Sequence, residues 1–328
     1  MKLETNIEKY QPAYISEYPE FDEVADKQMD IFWPHKEIAV EKDKQDLLTC
    51  MTDSERHGTI TALKLFTKYE LFVGTDYWAG VVMKKFKRKE IQRVAACFSH
   101  VELNSHAPFY DKINKELGLS TVEFYNSYVE DEELRDRVEF IEQLVSCDDI
   151  ALSLAGFSMV EGAILYSSFA YLKHFQSKGK NKLSNVCRGI NMSVTDENLH
   201  SITGAALCNI VVKEREYAAE EYKAFVDRVV EMAKVLYQHE CRIIDMLFEH
   251  GEPVGITSED MKVFVQSRIN TCLQQLNIER MFTIDSNPIA EWFYKGINNF
   301  QYNDFFSGIG REYQRNFSED DFVWEVKQ

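Results

Sequence analysis

The chain has 328 residues, of which 13% are aromatic and 28% charged, with 14 Gly, 6 Pro and a formal net charge of −17. Long side chains and few breakers favour helices joined by short loops. The charge repels phosphate backbones and anionic lipid, which argues against nucleic acid and membranes as partners. The basic run Lys84-Lys85-Phe86-Lys87-Arg88-Lys89 reads as solvated helix ends.

Residues 1–40 read as an extended arm punctuated by Pro12, Pro19 and Pro34, with Trp33 biased out of helix by the proline that follows it. Helical patterns then predict elements near 43–55, 57–80, 89–117, 121–129, 131–146, 150–177, 184–212, 215–249, 258–275 and 289–297. Gly118 and Gly251 are the expected C-terminal caps, and Ser258 opens the next helix with acids in its first turn. Thr195 and Asp196 sit inside a helical pattern and are not read as a cap. There is no strand alternation and no repeat. Residues 299–328 look like a flexible tail. The expectation is one all-α domain over 41–298, with an N-terminal arm and a C-terminal tail.

Seven cysteines, none in a CxxC pair, argue against a disulfide framework or a cysteine zinc site and suit a reducing, cytoplasmic setting. No apolar leader follows Met1-Lys2. No apolar run is expected to reach the ~20 residues of a bilayer span.

Four of the expected helices place acids or imidazoles in apolar company. Glu70 lies in Leu65-Phe66-Thr67-Lys68-Tyr69-Glu70-Leu71-Phe72-Val73, and Glu161 is the only charged residue between Asp149 and Lys173. Glu102 and His106 are four apart, and Glu197 and His200 three apart, spacings that share a helix face. Each part alone fits a blander role, such as a buried ion pair for Glu161 or an exposed pair for Glu197 and His200. Together they match the carboxylate di-metal bundles, in which two helices give one acid each and two give an acid with a histidine. The expected ligands are Glu70, Glu102, His106, Glu161, Glu197 and His200. Such a donor set suits two ions of iron or manganese. Di-iron is the first expectation, with di-manganese or a mixed Mn/Fe pair open. His100 is two positions from Glu102 and turns off that face.

These segments resemble the small-subunit family of class I ribonucleotide reductases, from about residue 30 to the end. The residues that carry the resemblance are Phe32-Trp33-Pro34, Glu70, the stretch from Glu102 to Tyr110, Glu161, Asp196-Glu197-Asn198-Leu199-His200, Ser286-Asn287-Pro288-Ile289 and Glu312-Tyr313-Gln314. The resemblance implies a homodimer of ferritin-like fold whose metal pair and oxygen create a radical, stored on a tyrosine. That radical passes to a separate large subunit, which reduces ribonucleotides to deoxyribonucleotides. On this resemblance Tyr110 is the radical tyrosine, Trp33 and Asp196 form an internal relay through His106, and Tyr313 carries the radical across the subunit interface. The acidic, aromatic tail around Glu319-Asp320-Asp321-Phe322 docks on the large subunit.

One departure stands out. The family most often spaces this acid and histidine as Glu-x-x-His, with the tyrosine four later, whereas here four positions separate Glu102 from His106. Alignment on Glu102 would put Ser105 and Phe109 in the two roles. Serine is a poor ligand here, and a one-residue π-bulge absorbs the difference, so His106 and Tyr110 are preferred. The alternatives are a ferritin-like di-metal oxidase or monooxygenase component, which has no need of a tail tyrosine, and a helical accessory protein or iron store.

Overall fold

The computed structural model describes residues 5–295. Its helices are α1 (Pro19–Ile31), α2 (Asp53–Phe72), α3 (Met83–Lys85), α4 (Lys89–Val101), α5 (Ala107–Leu117), α6 (Val122–Glu130), α7 (Glu132–Val145), α8 (Ile150–Met159), α9 (Tyr166–Lys173), α10 (Ser184–Glu214), α11 (Ala219–Leu247) and α12 (Ser258–Gln275). A further helical stretch begins at 288, and there is no strand among the described residues. Three of the joints are π-helical: Val73–Val82 carries α2 into α3, Glu102–His106 carries α4 into α5, and Val160–Ile164 lies between α8 and α9.

Local chemistry sets the ends. The Thr52 hydroxyl accepts from the Glu55 amide at 3.2 Å while Glu55 accepts from the Thr52 amide at 3.0 Å, a reciprocal box that starts α2. That cap also divides the helix expected over 43–55, which is instead a π-turn at Asp46–Cys50 ending before Thr52. Gly118 ends α5 in the left-handed region at φ +73°. Thr257, not Ser258, caps α12, its hydroxyl accepting from the Asp260 amide at 3.1 Å. Gly251 sits in the left-handed region four residues beyond the end of α11, which Phe248 terminates.

The reading of residues 1–40 as extended is corrected over Pro19–Ile31, which are helical. Pro19 occupies the first turn, where a missing N–H costs nothing, and Glu20 and Asp22 face the positive end of the helix. Phe21, Val24, Ala25, Gln28 and Ile31 form its buried stripe, which packs on α4 and α10. The basic run is not fully solvated either. Arg88 is buried and donates to the Asn6 carbonyl at 2.9 Å and to Glu17 at 3.1 Å, and Lys85 pairs with Glu8 at 2.8 Å. These contacts fasten the N-terminal segment to the start of α4.

The core lies between α2, α4–α5, α8–α9 and α10, with α11 and α12 packed outside α2, α8 and α9. The expectation of no span-length apolar run is amended: Ile150–Gln176 is long and apolar enough by composition, and its most apolar window is wholly buried in the bundle. The seven cysteines are free.

Candidate metal centre

The π-turn Glu102–His106 is the bulge expected from the irregular spacing. With i→i+5 closure, residues four apart nearly superpose, so Glu102 and His106 project together. Their facing atoms, Glu102 Oε2 and His106 Nδ1, lie 2.9 Å apart. Ser105 points elsewhere, donating to the Trp33 carbonyl at 2.5 Å. Phe109 packs edge-on to Trp33 with centroids 5.6 Å apart. His100 is exposed and accepts from Asn104 at 3.0 Å, away from the cluster.

Six side chains from four helical segments converge, all buried: Glu70 of α2, Glu102 and His106 of the π-turn, Glu161 of the second π-turn, and Glu197 and His200 of α10. They divide into two lobes. His106 Nδ1 lies 2.9 Å from Glu102, 3.1 Å from Glu197 and 3.5 Å from Glu70. His200 Nδ1 lies 2.9 Å from Glu102, 3.6 Å from Glu197 and 3.9 Å from Glu161. Glu102 and Glu197 therefore serve both lobes, Glu70 only the first and Glu161 only the second. Each lobe groups four donor atoms within 4.8 Å of one another.

The electrostatics call for a cation. Among the described residues no lysine or arginine pairs with any of these four carboxylates. Burial, then the neighbouring acids, raise Glu161 well above the ordinary range; burial likewise raises Glu102 although His106 pulls against it. Burial and the Glu102 charge push Glu197 up to about 8. Burial and the His106 charge hold His200 well below its usual value; burial pulls His106 down too, but Glu102 and Asp196 outweigh it and raise it. Glu70 Oε1, Glu102 Oε1, Glu161 Oε2, both Glu197 oxygens and His200 Nδ1 are buried without a hydrogen-bond partner among the described residues. Orphaned oxygens and an imidazole nitrogen facing one another fit divalent cations bound by hard oxygen and imidazole donors.

The outer faces of both imidazoles are tied back. His106 Nε2 donates to Asp196 Oδ2 at 3.0 Å, and that oxygen also accepts the Trp33 indole N–H at 2.7 Å. Gln28 donates to Asp196 Oδ1 at 2.9 Å and accepts from His200 Nε2 at 3.3 Å. Both Nε2 atoms face acceptors, so in the neutral rings the Nδ1 lone pairs are directed inward. The Trp78 indole donates to Glu161 Oε1 at 2.8 Å. Tyr110 is buried, stacks on Phe66 at 4.3 Å and donates to Ser193 Oγ at 3.2 Å. Burial, then the Glu70 charge, raise its phenol well above the ordinary value.

The structure thus brings together every expected site residue except Tyr313, which lies outside the described residues, as do Glu312, Gln314 and the tail from 299. The sequence reading missed Gln28, Trp78 and Ser193. Gln28 carried a signal, a polar residue on the apolar stripe of α1.

The family "Ribonucleotide reductase, small chain" matches residues 13–288. A probable ribonucleoside-diphosphate reductase small subunit of Invertebrate iridescent virus 3 is 23% identical, over 94% of this chain and 85% of that one. The ribonucleoside-diphosphate reductase subunit beta nrdF2 of Mycobacterium tuberculosis is 25% identical, over 89% of this chain and 88% of the other. Among solved structures, dimanganese(II)-NrdF of Streptococcus sanguinis superposes with a TM-score of 0.77 at 18% identity, over 88% of this chain and 99% of that one. A putative class I ribonucleotide reductase of Bacillus halodurans gives 0.74 at 18% identity, over 88% and 99%. With the match spanning most of the chain, the protein belongs to the ribonucleotide reductase small-chain family.

Proposed function

We propose that this chain generates a one-electron oxidant at a two-metal centre, stores it on Tyr110 and delivers it to the large subunit. The observation that carries this is the pair of lobes sharing Glu102 and Glu197, with no basic side chain among the described residues to neutralise four buried acids. Glu70, Glu102 and Glu197 with His106 would hold one ion, and Glu161, Glu102 and Glu197 with His200 the other. Iron is the first choice, with manganese or a mixed pair the alternatives. When bound, the ions supply oxidising power toward a neighbouring aromatic side chain.

The chain's own residues set the rest. Loss of an electron from a phenol also releases its proton, and the Tyr110 hydroxyl is aimed at Ser193 Oγ. Burial of Tyr110 keeps water from quenching the stored radical. Trp33, Asp196 and His106 form a hydrogen-bonded line from the indole to the first lobe, the route for the oxidising equivalent. Tyr313 and the tail over 299–328 would extend that route and dock on the large subunit, with the small subunit a homodimer. The ferritin-like oxidase reading yields to the family match.

The test loads metal-free chain with Fe(II) or Mn(II) and oxygen, then measures metal content and the electron paramagnetic resonance spectrum. Two ions per chain and a tyrosyl signal absent from Tyr110→Phe are expected. Tyr110→Phe should keep the metals and lose turnover with a class I large subunit. Retained turnover would move the radical elsewhere, and a wild-type chain without bound metal would end the proposal.

A further inference from the structure

Glu70 and Glu161 are the two acids of the cluster that come without a histidine on their own segment, so something else must hold them in place. For Glu161 the question is acute, because it rides on the π-turn Val160–Ile164. A π-turn interrupts the i→i+4 ladder, and the buried carbonyls it displaces need other donors.

Two carbonyls of this turn receive guanidinium groups from different helices. Arg268 of α12 donates through Nε to the Gly162 carbonyl at 2.8 Å, and Arg137 of α7 through Nη2 to the Ile164 carbonyl at 2.9 Å. Both side chains have no solvent exposure. A Cβ at Gly162 would run into Ser201 Oγ and Cys272 Sγ, so the turn packs directly against α10 and α12. Arg268 lies 4.0 Å above the Tyr166 ring and donates to the Tyr294 hydroxyl at 3.1 Å. Arg137 also donates to the Tyr69 hydroxyl at 3.2 Å, and Tyr69 is the neighbour of Glu70 in α2. One guanidinium therefore links the turn that carries Glu161 to the residue beside Glu70.

The two arginines differ in compensation. Arg137 pairs with Glu240 at 2.8 Å, whereas Arg268 has no carboxylate partner among the described residues and its Nη2 is without a hydrogen bond there. A buried guanidinium without a carboxylate partner depends on neutral polar and aromatic groups to hold its charge. Around Arg268 those groups are the Gly162 carbonyl, the Tyr294 hydroxyl and the face of the Tyr166 ring.

We propose that Arg268, with Arg137 in support, is a positioning residue that fixes the Val160–Ile164 turn and thereby keeps Glu161 in the His200 lobe. The inference rests on the two-metal reading of the cluster.

The experiment titrates Mn(II) into the full chain by equilibrium dialysis, with free Mn(II) read by electron paramagnetic resonance. Wild type, Arg268→Gln, Arg268→Lys and Glu161→Ala are compared, each arginine variant also in the Glu161→Ala background. Arg268→Gln should weaken one of the two Mn(II) sites by about tenfold or more while leaving the other unchanged. Arg268→Lys, which keeps charge and one donor, should fall between. Neither should alter Mn(II) binding further once Glu161 is gone. Undiminished affinity in Arg268→Gln, or an equal loss with and without Glu161, overturns the proposal. If Arg268→Gln does not fold, Arg268→Lys and Arg137→Lys carry the same comparison. A wild-type chain that binds no Mn(II) overturns this proposal together with the two-metal reading. Two bound ions with indifferent arginine variants overturns this one alone.

Discussion

Two acid clusters are buried in the same bundle and are resolved in opposite ways. At Glu240, on α11, the carboxylate meets the Arg137 guanidinium at 2.8 Å and the Ser167 hydroxyl at 2.6 Å. At the centre, Glu70, Glu102, Glu161 and Glu197 share two imidazoles and, among the described residues, no lysine or arginine at all. The fold evidently can deliver a cation to a buried acid when the purpose is structural. Where it brings four acids together and leaves their inner oxygens orphaned, the balancing charge has to come from outside the chain. The difference separates an ion pair that belongs to folding from a donor set that belongs to chemistry.

Cutting each cluster should break different properties. Glu102 serves both lobes, so Glu102→Ala should abolish two-metal loading and every turnover with the large subunit. Metal analysis of the purified variant checks this, and two retained ions would remove Glu102 from the shared position. Glu240→Ala leaves Arg137 buried without its acid and should cost about 3–5 kcal/mol of stability, read by thermal or denaturant unfolding. Its metal content should stay at two ions per chain. A metal loss as large as that of Glu102→Ala would erase the distinction between the clusters.

A third effect, smaller and graded, follows from protons. In the metal-free chain Glu197 is pushed up to about 8 from an ordinary 4.5, and Glu102 and Glu161 are raised as well. A raised carboxylate binds its proton in the folded state at pH values where the unfolded chain has released it. The stability it contributes is therefore present at low pH and is lost as pH rises from about 4.5 through about 8. Metal ions replace those protons, so their stabilising effect should grow over the same window. Unfolding midpoints with and without Mn(II), compared across that range, should diverge as pH increases. A gap that is constant or narrows with pH would mean that the acids are ionised without the metal.

Much of this is legible in the sequence. Glu161 stood out as the single charge in a long apolar stretch, and the spacing of Glu102 and His106 forced a bulge that the π-turn supplies. What the sequence concealed were contacts made across the fold. Neither Trp78 nor Arg268 carries a local periodicity that points to Glu161 or Gly162, because those partnerships join α3's approach and α12 to a turn far away in the chain. The N-terminal segment was misread for a different reason. Three prolines suggested an extended arm, yet Pro19 sits where a helix accepts proline, and the i, i+3, i+4, i+7 stripe of Phe21, Val24, Ala25, Gln28 and Ile31 lay in plain view.

Gln28 gives that misreading a consequence at the site, and the smallest of the expected effects. Its amide bridges the two halves of the centre, donating to Asp196 and accepting from His200 Nε2, while Asp196 takes the corresponding proton of His106 directly. The two histidines are thus oriented unequally, one by a carboxylate and one by a neutral amide at 3.3 Å. Hydrogen bonds to a charged acceptor are the stronger kind, so the His200 lobe is the more weakly preorganised. Gln28→Leu keeps the apolar stripe of α1 filled, removes the amide, and should weaken one Mn(II) site by no more than about tenfold while the fold and the other site persist. If Gln28→Leu instead weakened mainly the His106 site, Asp196 rather than His200 would be the residue that depends on the amide, and the ordering of the two lobes would reverse.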